Sequence, residues 1–229
     1  MTEAAAPPQP SQAPGFAFRL RSIPVRIHFS FVIVMLVFAY GRSPAGMAQW
    51  FGVATVAVLF HELGHAFAIR AAGRQPAIQL AGFGGLTDYA ARPPLSPARQ
   101  LGISLAGPAA GALLGGLALL VFDVADLHNA SLRRDILWVT FGWSVLNLIP
   151  AAPLDGGNAV NHFLALITGR RWPRVSAAIG IAVWGGALVW ALRTQQWTFA
   201  ALLGLLLMSQ WSALMRAAPT PPPAGDVQG

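Results

Sequence analysis

Cysteine and lysine are absent from this 229-residue chain, and glutamate occurs only twice, as Glu3 and Glu62. Without cysteine there can be no disulfide scaffold, no CxxC redox chemistry and no thiolate zinc site. Charge of any kind is scarce: 10% of residues are charged, 55% are hydrophobic, and the mean hydropathy is +0.56. Soluble domains run near a quarter charged, so an ordinary water-soluble globule is excluded. Disorder of the whole chain is excluded too, because disorder goes with low hydrophobicity. A polytopic membrane protein remains.

What charge there is lies on the positive side. All fifteen basic residues are Arg, and the formal net charge is +7. These arginines are scattered between apolar runs, as loop anchors beside membrane helices are, and no stretch gathers them into a nucleic-acid-binding surface. The lipid bilayer is therefore an expected partner and nucleic acid is not. The arginine-only usage is that of a high-GC coding sequence, which points to a bacterial inner (cytoplasmic) membrane.

Residues 1–14 and 217–229 are rich in Pro, Ala and polar residues and are expected to be disordered tails flanking a membrane domain at 15–216. The N-terminus has none of the marks of a cleavable signal peptide: it carries Glu3, lacks a basic start and reaches no apolar run before its Pro-rich stretch. A bilayer-spanning helix needs about 20 mostly apolar residues. Six stretches qualify or come close: Val25–Gly41, Met47–Ala71, Leu101–Phe122, Ile136–Pro150, Val175–Leu192 and Thr198–Leu214. The expected fold is thus an all-α polytopic membrane protein of about six transmembrane helices. The fourth is short and ends at Pro150 and Pro153, as a helix broken within the membrane would.

Arginine counting sets the orientation. Arg19, Arg21, Arg26, Arg70, Arg74, Arg92, Arg99, Arg170, Arg171, Arg174 and Arg216 fall on one side, and Arg42, Arg133, Arg134 and Arg193 on the other. The richer side is cytosolic, and it holds both termini. In the third stretch Gly107, Gly111 and Gly115 repeat a small-xxx-small pattern, which lets two helix backbones approach closely. It reads as a packing device without chemistry of its own.

Chemistry is concentrated in the second stretch, which contains His61-Glu62-Leu63-Gly64-His65. Histidines at i and i+4 stack on one helix face and can bind one zinc ion together. Glu62, one position round the helix, can act as general base on a zinc-bound water whose pKa the metal lowers toward about 7. Histidines buried and satisfied by neighbouring helices are the bland alternative, but ionisable groups inside a span are rare and usually functional. If span two runs toward the cytosol, the pair lies roughly 7–14 Å inside the cytosolic end, at about 1.5 Å per residue.

A catalytic zinc wants three protein ligands and a water. His28, His128, His162 and the aspartates are candidates for the third. Span four ends in Asn147-Leu-Ile-Pro150-Ala-Ala-Pro153-Leu-Asp155-Gly156-Gly157 and brings Asp155 to the same depth. His128 lies on the far side and His28 is the weaker competitor. Taken alone, however, Asp155-Gly156-Gly157 is a common turn signal.

HELGH in an apolar helix, followed about ninety residues later by NLIPAAPLDGG, resembles the site-2 protease family of intramembrane zinc metalloproteases. The likeness extends to Val25-Arg-Ile-His28-Phe-Ser30, to Gly82-Phe-Gly84-Gly85 and to Leu105-Ala-Gly107-Pro108, and covers most of residues 23–160. The six-span layout is similar to the sporulation-protease branch. The resemblance implies one zinc per chain held by His61, His65 and Asp155, with Glu62 activating the water. It also implies that Asn147 holds the substrate carbonyl or stabilises the oxyanion. Three features depart from the pattern: no CBS pair follows Arg216, no PDZ module interrupts the chain, and Asn158 stands where a basic residue is usual. Ala77–Tyr89, too short and glycine-broken for a span, is expected to be a short re-entrant strand or loop between spans two and three. An extended strand there could grip an unwound substrate by edge hydrogen bonds.

Ser30 and Ser104 lie in no nucleophile elbow, and Trp50, Trp138, Trp172 and Trp197 fit an interfacial belt. The expected function is cleavage of a peptide bond in or near the transmembrane segment of a membrane-tethered, regulatory protein. Oligomeric state is left open, a homo-oligomer included. The alternatives are a transporter or metal-handling protein using the His/Asp cluster as a cation site, and an inactive relative that only retains membrane segments. A transport site has no need of Glu62, and an inactive relative has no need of a full ligand set.

Overall fold

A four-stranded sheet corrects the all-helical expectation. In the computed structural model, which describes residues 14–89 and 93–216, strands β1 (Gly15–Leu20), β2 (Ile23–His28), β3 (Pro76–Ala81) and β4 (Gly84–Tyr89) lie in the order β1-β2-β3-β4. The expected tails fall outside the described residues except for Pro14. β1 and β2 pair antiparallel, β2 and β3 parallel with Val25 opposite Ile78, and β3 and β4 antiparallel with Ile78 opposite Thr87. Alternation at Ile23, Val25 and Ile27 is what makes residues 23–28 a strand: Ile23 and Val25 enter the core with Ile78 and Leu80 of β3.

The first expected span is shortened accordingly. Its helix, α1, covers only Phe29–Phe38, ten residues, and at about 1.5 Å per residue it falls short of a bilayer core. α2 (Pro44–Ala71) and α3 (Pro97–Val124) each run 28 residues and start alike. Ser43 and Ser96 cap their first turns through bonds from Gly46 N (3.2 Å) and Arg99 N (3.5 Å), and Pro44 and Pro97 occupy the first helical position. The fourth expected span, Ile136–Pro150, holds the last two residues of α4 (Ala130–Leu137), a π-helical segment at Trp138–Gly142, and α5 (Trp143–Asn147). The break anticipated at Pro150 is therefore preceded by a second irregularity inside the span.

The chain divides into two units, Met1–Leu148 and Ile149–Gly229. The first holds the sheet and α1 to α5. Its core joins Phe31 and Met35 of α1 to Ala54, Ala57, Val58 and Ala66 of α2 and to the inner faces of β2 and β3. At the Arg42 end of α2, Asp135 of α4 is 1% exposed. It accepts Arg42 Nη1 at 2.8 Å, Arg42 Nη2 at 3.1 Å and Gln49 Nε2 at 2.8 Å. Burial raises the Asp135 pKa, but the bonds from Arg42 and Gln49 and the charges of Arg42 and Arg134 outweigh it and leave the carboxyl below its ordinary range.

The second unit contains α6 (Asp155–Thr168), α7 (Pro173–Arg193) and α8 (Trp197–Arg216), with Ala151, Trp184, Ala191, Ala200 and Leu203 in its core. Gly169, at φ +68°, ends α6 in the left-handed conformation that suits glycine. Among the described residues three helices, α2, α3 and α7, are long and apolar enough to cross a membrane; α1 and Ala200–Ser212 of α8 are apolar but shorter.

Candidate metal centre

Position 61 to 65 of α2 is where the apolar helix turns polar and remains buried. His61, Glu62 and His65 are all under 8% exposed. Their ligand atoms lie within 4.8 Å of one another, the one such group among the described residues. One helical turn separates the two histidines, and their Nε2 atoms face each other at 3.2 Å. Two nitrogens bound to one tetrahedral zinc at about 2.0–2.1 Å lie about 3.4 Å apart, so the pair is already at the spacing of adjacent zinc ligands. His65 Nδ1 lies 2.7 Å from the Ile103 carbonyl oxygen of α3. A carbonyl only accepts, so Nδ1 carries the hydrogen and Nε2 presents its lone pair, the arrangement typical of a metal-bound histidine.

The space in front of that pair is made by a missing side chain. A Cβ on Gly107 would collide with His65 Nε2 and stand 2.7 Å from His61 Nε2. Gly64 plays the reciprocal part on α2, since a Cβ there would strike the Ala106 carbonyl oxygen of α3. The glycine stripe is therefore both the packing device expected of it and the wall of the candidate metal pocket. Higher up, a Cβ on Gly111 would stand 2.5 Å from Ser144 Oγ, and one on Gly115 would overlap Thr140 Oγ1. Continuing this antiparallel register by one more turn sets Asn147 level with Gly107. Asn147 is buried and donates Nδ2–H to its own helix at the Trp143 carbonyl (2.9 Å), which leaves the second amide hydrogen available.

Glu62 is held from the sheet. Thr87 of β4 points its hydroxyl at Glu62 Oε2 (2.7 Å) and at the Glu62 carbonyl oxygen (3.1 Å). Gly85 lets the strand pass against the carboxylate, where a Cβ would overlap Glu62 Cγ and Oε1. The stretch Ala77–Tyr89 is thus a hairpin with a two-residue loop, Gly82 at φ +55° and Phe83, and its outer strand touches the expected general base. Nothing in the sequence singled out Thr87. A lone threonine in an alternating strand has no signature until its partner is known.

Of the other candidate ligands, His28 is bonded through Nε2 to Gln79 Oε1 at 3.1 Å, and His128 is exposed beside Asp126. His162 and Asp155 both lie on α6, in the second unit. Asp155 opens that helix, so Asp155-Gly156-Gly157 is a helix N-terminus and not the free turn its composition suggests. A carboxylate in a first helical turn is favourably placed against the helix dipole.

No protein-family model matches the chain. A zinc metalloprotease of Methanocaldococcus jannaschii is 27% identical over 155 residues, 65% of this chain and 44% of that protein. Rip3, a candidate zinc metalloprotease of Mycobacterium tuberculosis, is 28% identical over 185 residues, 72% of this chain and 46% of its own length. The chain thus spans a little under half of the curated relatives it matches. Among solved structures, the site-2 protease of Methanocaldococcus jannaschii superposes with a TM-score of 0.62 at 21% identity, covering 90% of this chain and 97% of that one.

Proposed function

We propose that this chain, which belongs to the site-2 protease family of zinc metalloproteases, hydrolyses a peptide bond in or beside the transmembrane segment of a membrane-tethered protein. The observation that carries the reading is the histidine pair, with facing Nε2 atoms 3.2 Å apart in a buried pocket beside a strand-anchored carboxylate. A transport site would have no use for that carboxylate.

His61 and His65 would hold the zinc, with Asp155 as third ligand by the family motif. Zinc, when bound, supplies Lewis acidity that makes water a competent nucleophile at neutral pH. Glu62 takes the proton of the attacking water and returns it to the departing amine, and the Thr87 hydroxyl keeps one carboxylate oxygen aimed while it does so. Asn147, level with the pocket, offers its second N–H to the developing oxyanion. β4 is an edge strand of the sheet among the described residues and runs past Glu62, and an unwound segment could pair along it as an added strand. Around this centre the reading includes six spans with both termini in the cytosol of a bacterial inner membrane. The substrate is a single-span regulatory protein.

The test is co-reconstitution of the full chain in lipid vesicles with a panel of tagged single-span proteins. Wild type should cut at least one, chelation should stop the cutting, and added zinc should restore it. Glu62→Gln should bind zinc and cut nothing. Cleavage persisting in Glu62→Gln would overturn the mechanism, and a Glu62→Gln protein that no longer bound metal would favour a cation site.

A further inference from the structure

In the second unit, two long helices converge on a single carbonyl. The oxygen of Ala152 accepts Trp184 Nε1–H from α7 at 3.0 Å and Gln210 Nε2–H from α8 at 2.7 Å. Both donors are buried, at 5% and 4% exposure. A carbonyl has two lone pairs, so this one is saturated by side chains alone. Polar side chains buried among apolar ones are costly unless paired, and a buried glutamine following the apolar run Ala200–Met208 of α8 calls for a reason.

The surroundings are built to keep that contact. A Cβ on Gly180 of α7 would stand 2.5 Å from Gln210 Oε1, so glycine there is what admits the amide between the helices. On the loop side, a Cβ on Gly157 would stand 2.5 Å from Ala152 N and 2.6 Å from Ala151 C, so the first turn of α6 rests directly on the same backbone. Ala151 is fully buried, and Leu154 N donates to the Ala151 carbonyl at 3.0 Å. Only Pro153 and Leu154 separate the gripped carbonyl from Asp155. The clamp therefore fixes the short segment that launches the aspartate, from one side by α7 and α8 and from the other by α6 itself.

We infer that Trp184 and Gln210 are positioning residues for Asp155, and that α7 and α8 exist in part to hold this carboxylate in the orientation that a metal requires. The inference rests on the reading of Asp155 as a zinc ligand. It assigns the C-terminal helices a task beyond lining the bilayer: displacing either donor should loosen the metal without removing any ligand.

The full chain in detergent micelles is titrated with zinc against a chromophoric chelator, and the melting midpoint of the metal-free protein is measured alongside. Gln210→Leu and Trp184→Phe keep the apolar packing but remove one donor each. Gly180→Ala leaves both donors in place and pushes the amide aside. Each should weaken zinc about tenfold, the scale of outer-shell partners of metal ligands, and the effect should vanish in an Asp155→Ala background. Unchanged zinc affinity in all three variants, with only a lowered midpoint of the metal-free protein, would make the clamp purely structural and overturn the inference. Equal losses with and without Asp155 would overturn it too. If Asp155→Ala itself left zinc affinity unchanged, the ligand assignment would fall and take the inference with it. Should Trp184→Phe fail to fold, Gln210→Leu and Gly180→Ala still decide.

Discussion

Two buried polar clusters sit on α2, near its opposite ends, and they are finished differently. At the Arg42 end, both carboxylate oxygens of Asp135 are taken, by Arg42 and Gln49, and the guanidinium also lies 4.6 Å from the Trp50 ring centre. At the His61–His65 end, three ligand-type groups converge within 4.8 Å of one another with no cation among them. Two Nε2 atoms face one another across a gap kept open by Gly107, and the outer nitrogen of His65 is tied down by a backbone carbonyl. A carboxylate bonded on both oxygens to a cation and an amide fastens elements together, whereas ligand-type atoms converging on one point can receive a metal between them. Burial alone does not separate them, since Asp135 is more deeply buried than either histidine.

The contrast can be broken at several points. Glu62→Gln should lower turnover by about 100- to 10,000-fold, the range of general acid–base catalysis, with zinc content by metal analysis unchanged. Gly107→Ala should cost roughly 10- to 100-fold in zinc affinity by chelator competition, because the new methyl occupies the ligand gap. An unaltered affinity would show that the gap is not where metal binds. At the other cluster, Arg42→Met should destabilise the chain by about 2–3 kcal/mol by leaving a buried carboxylate with Gln49 but without its cation, read as a lower melting midpoint, while activity per folded molecule holds. A loss of turnover beyond the loss of folded protein would erase the distinction between the two clusters. Thr87→Val should slow turnover only about fivefold, the worth of one hydrogen bond, with zinc affinity intact.

The smallest effect concerns acid. The Asp135 carboxyl lies below its ordinary value of 3.8, so the folded state favours its ionised form. That stability is present above pH 3.8 and is lost as pH falls through the lowered folded-state value. Melting midpoints followed from pH 7 to pH 3 should drop in wild type below about pH 4. The drop should be shallower in Asp135→Asn, which has no proton to take up there.

Much of the centre was readable because it depends on residue type at helical spacing. His61, Glu62 and His65 announce themselves in any apolar helix, and the structure gathers them. The glycines at 107, 111 and 115 were readable as a close-packing stripe, but which groups they face depends on how α3 meets α2, and one sequence does not encode that plainly. Residues 23–28 were lost in a longer apolar run. Ile23, Val25 and Ile27 alternate as a strand, and the same alternation runs on through Phe29, Ser30 and Phe31 into the helix, so the change of period at residue 29 is masked. Thr87 and the π-helical segment at 138–142 had no sequence mark, because a threonine hydroxyl and a widened turn acquire meaning only from neighbours far along the chain.

The place of β4 at the edge of the described sheet carries one more implication. Side chains along an extended peptide point up and down in strict alternation, so a guest lying beside Gly85 and Thr87 cannot creep past Glu62 one residue at a time without turning every side chain over. If this margin is where substrates lie, alternative cuts within one substrate should be spaced by two residues, with odd offsets suppressed, a parity legible in the masses of the product ends.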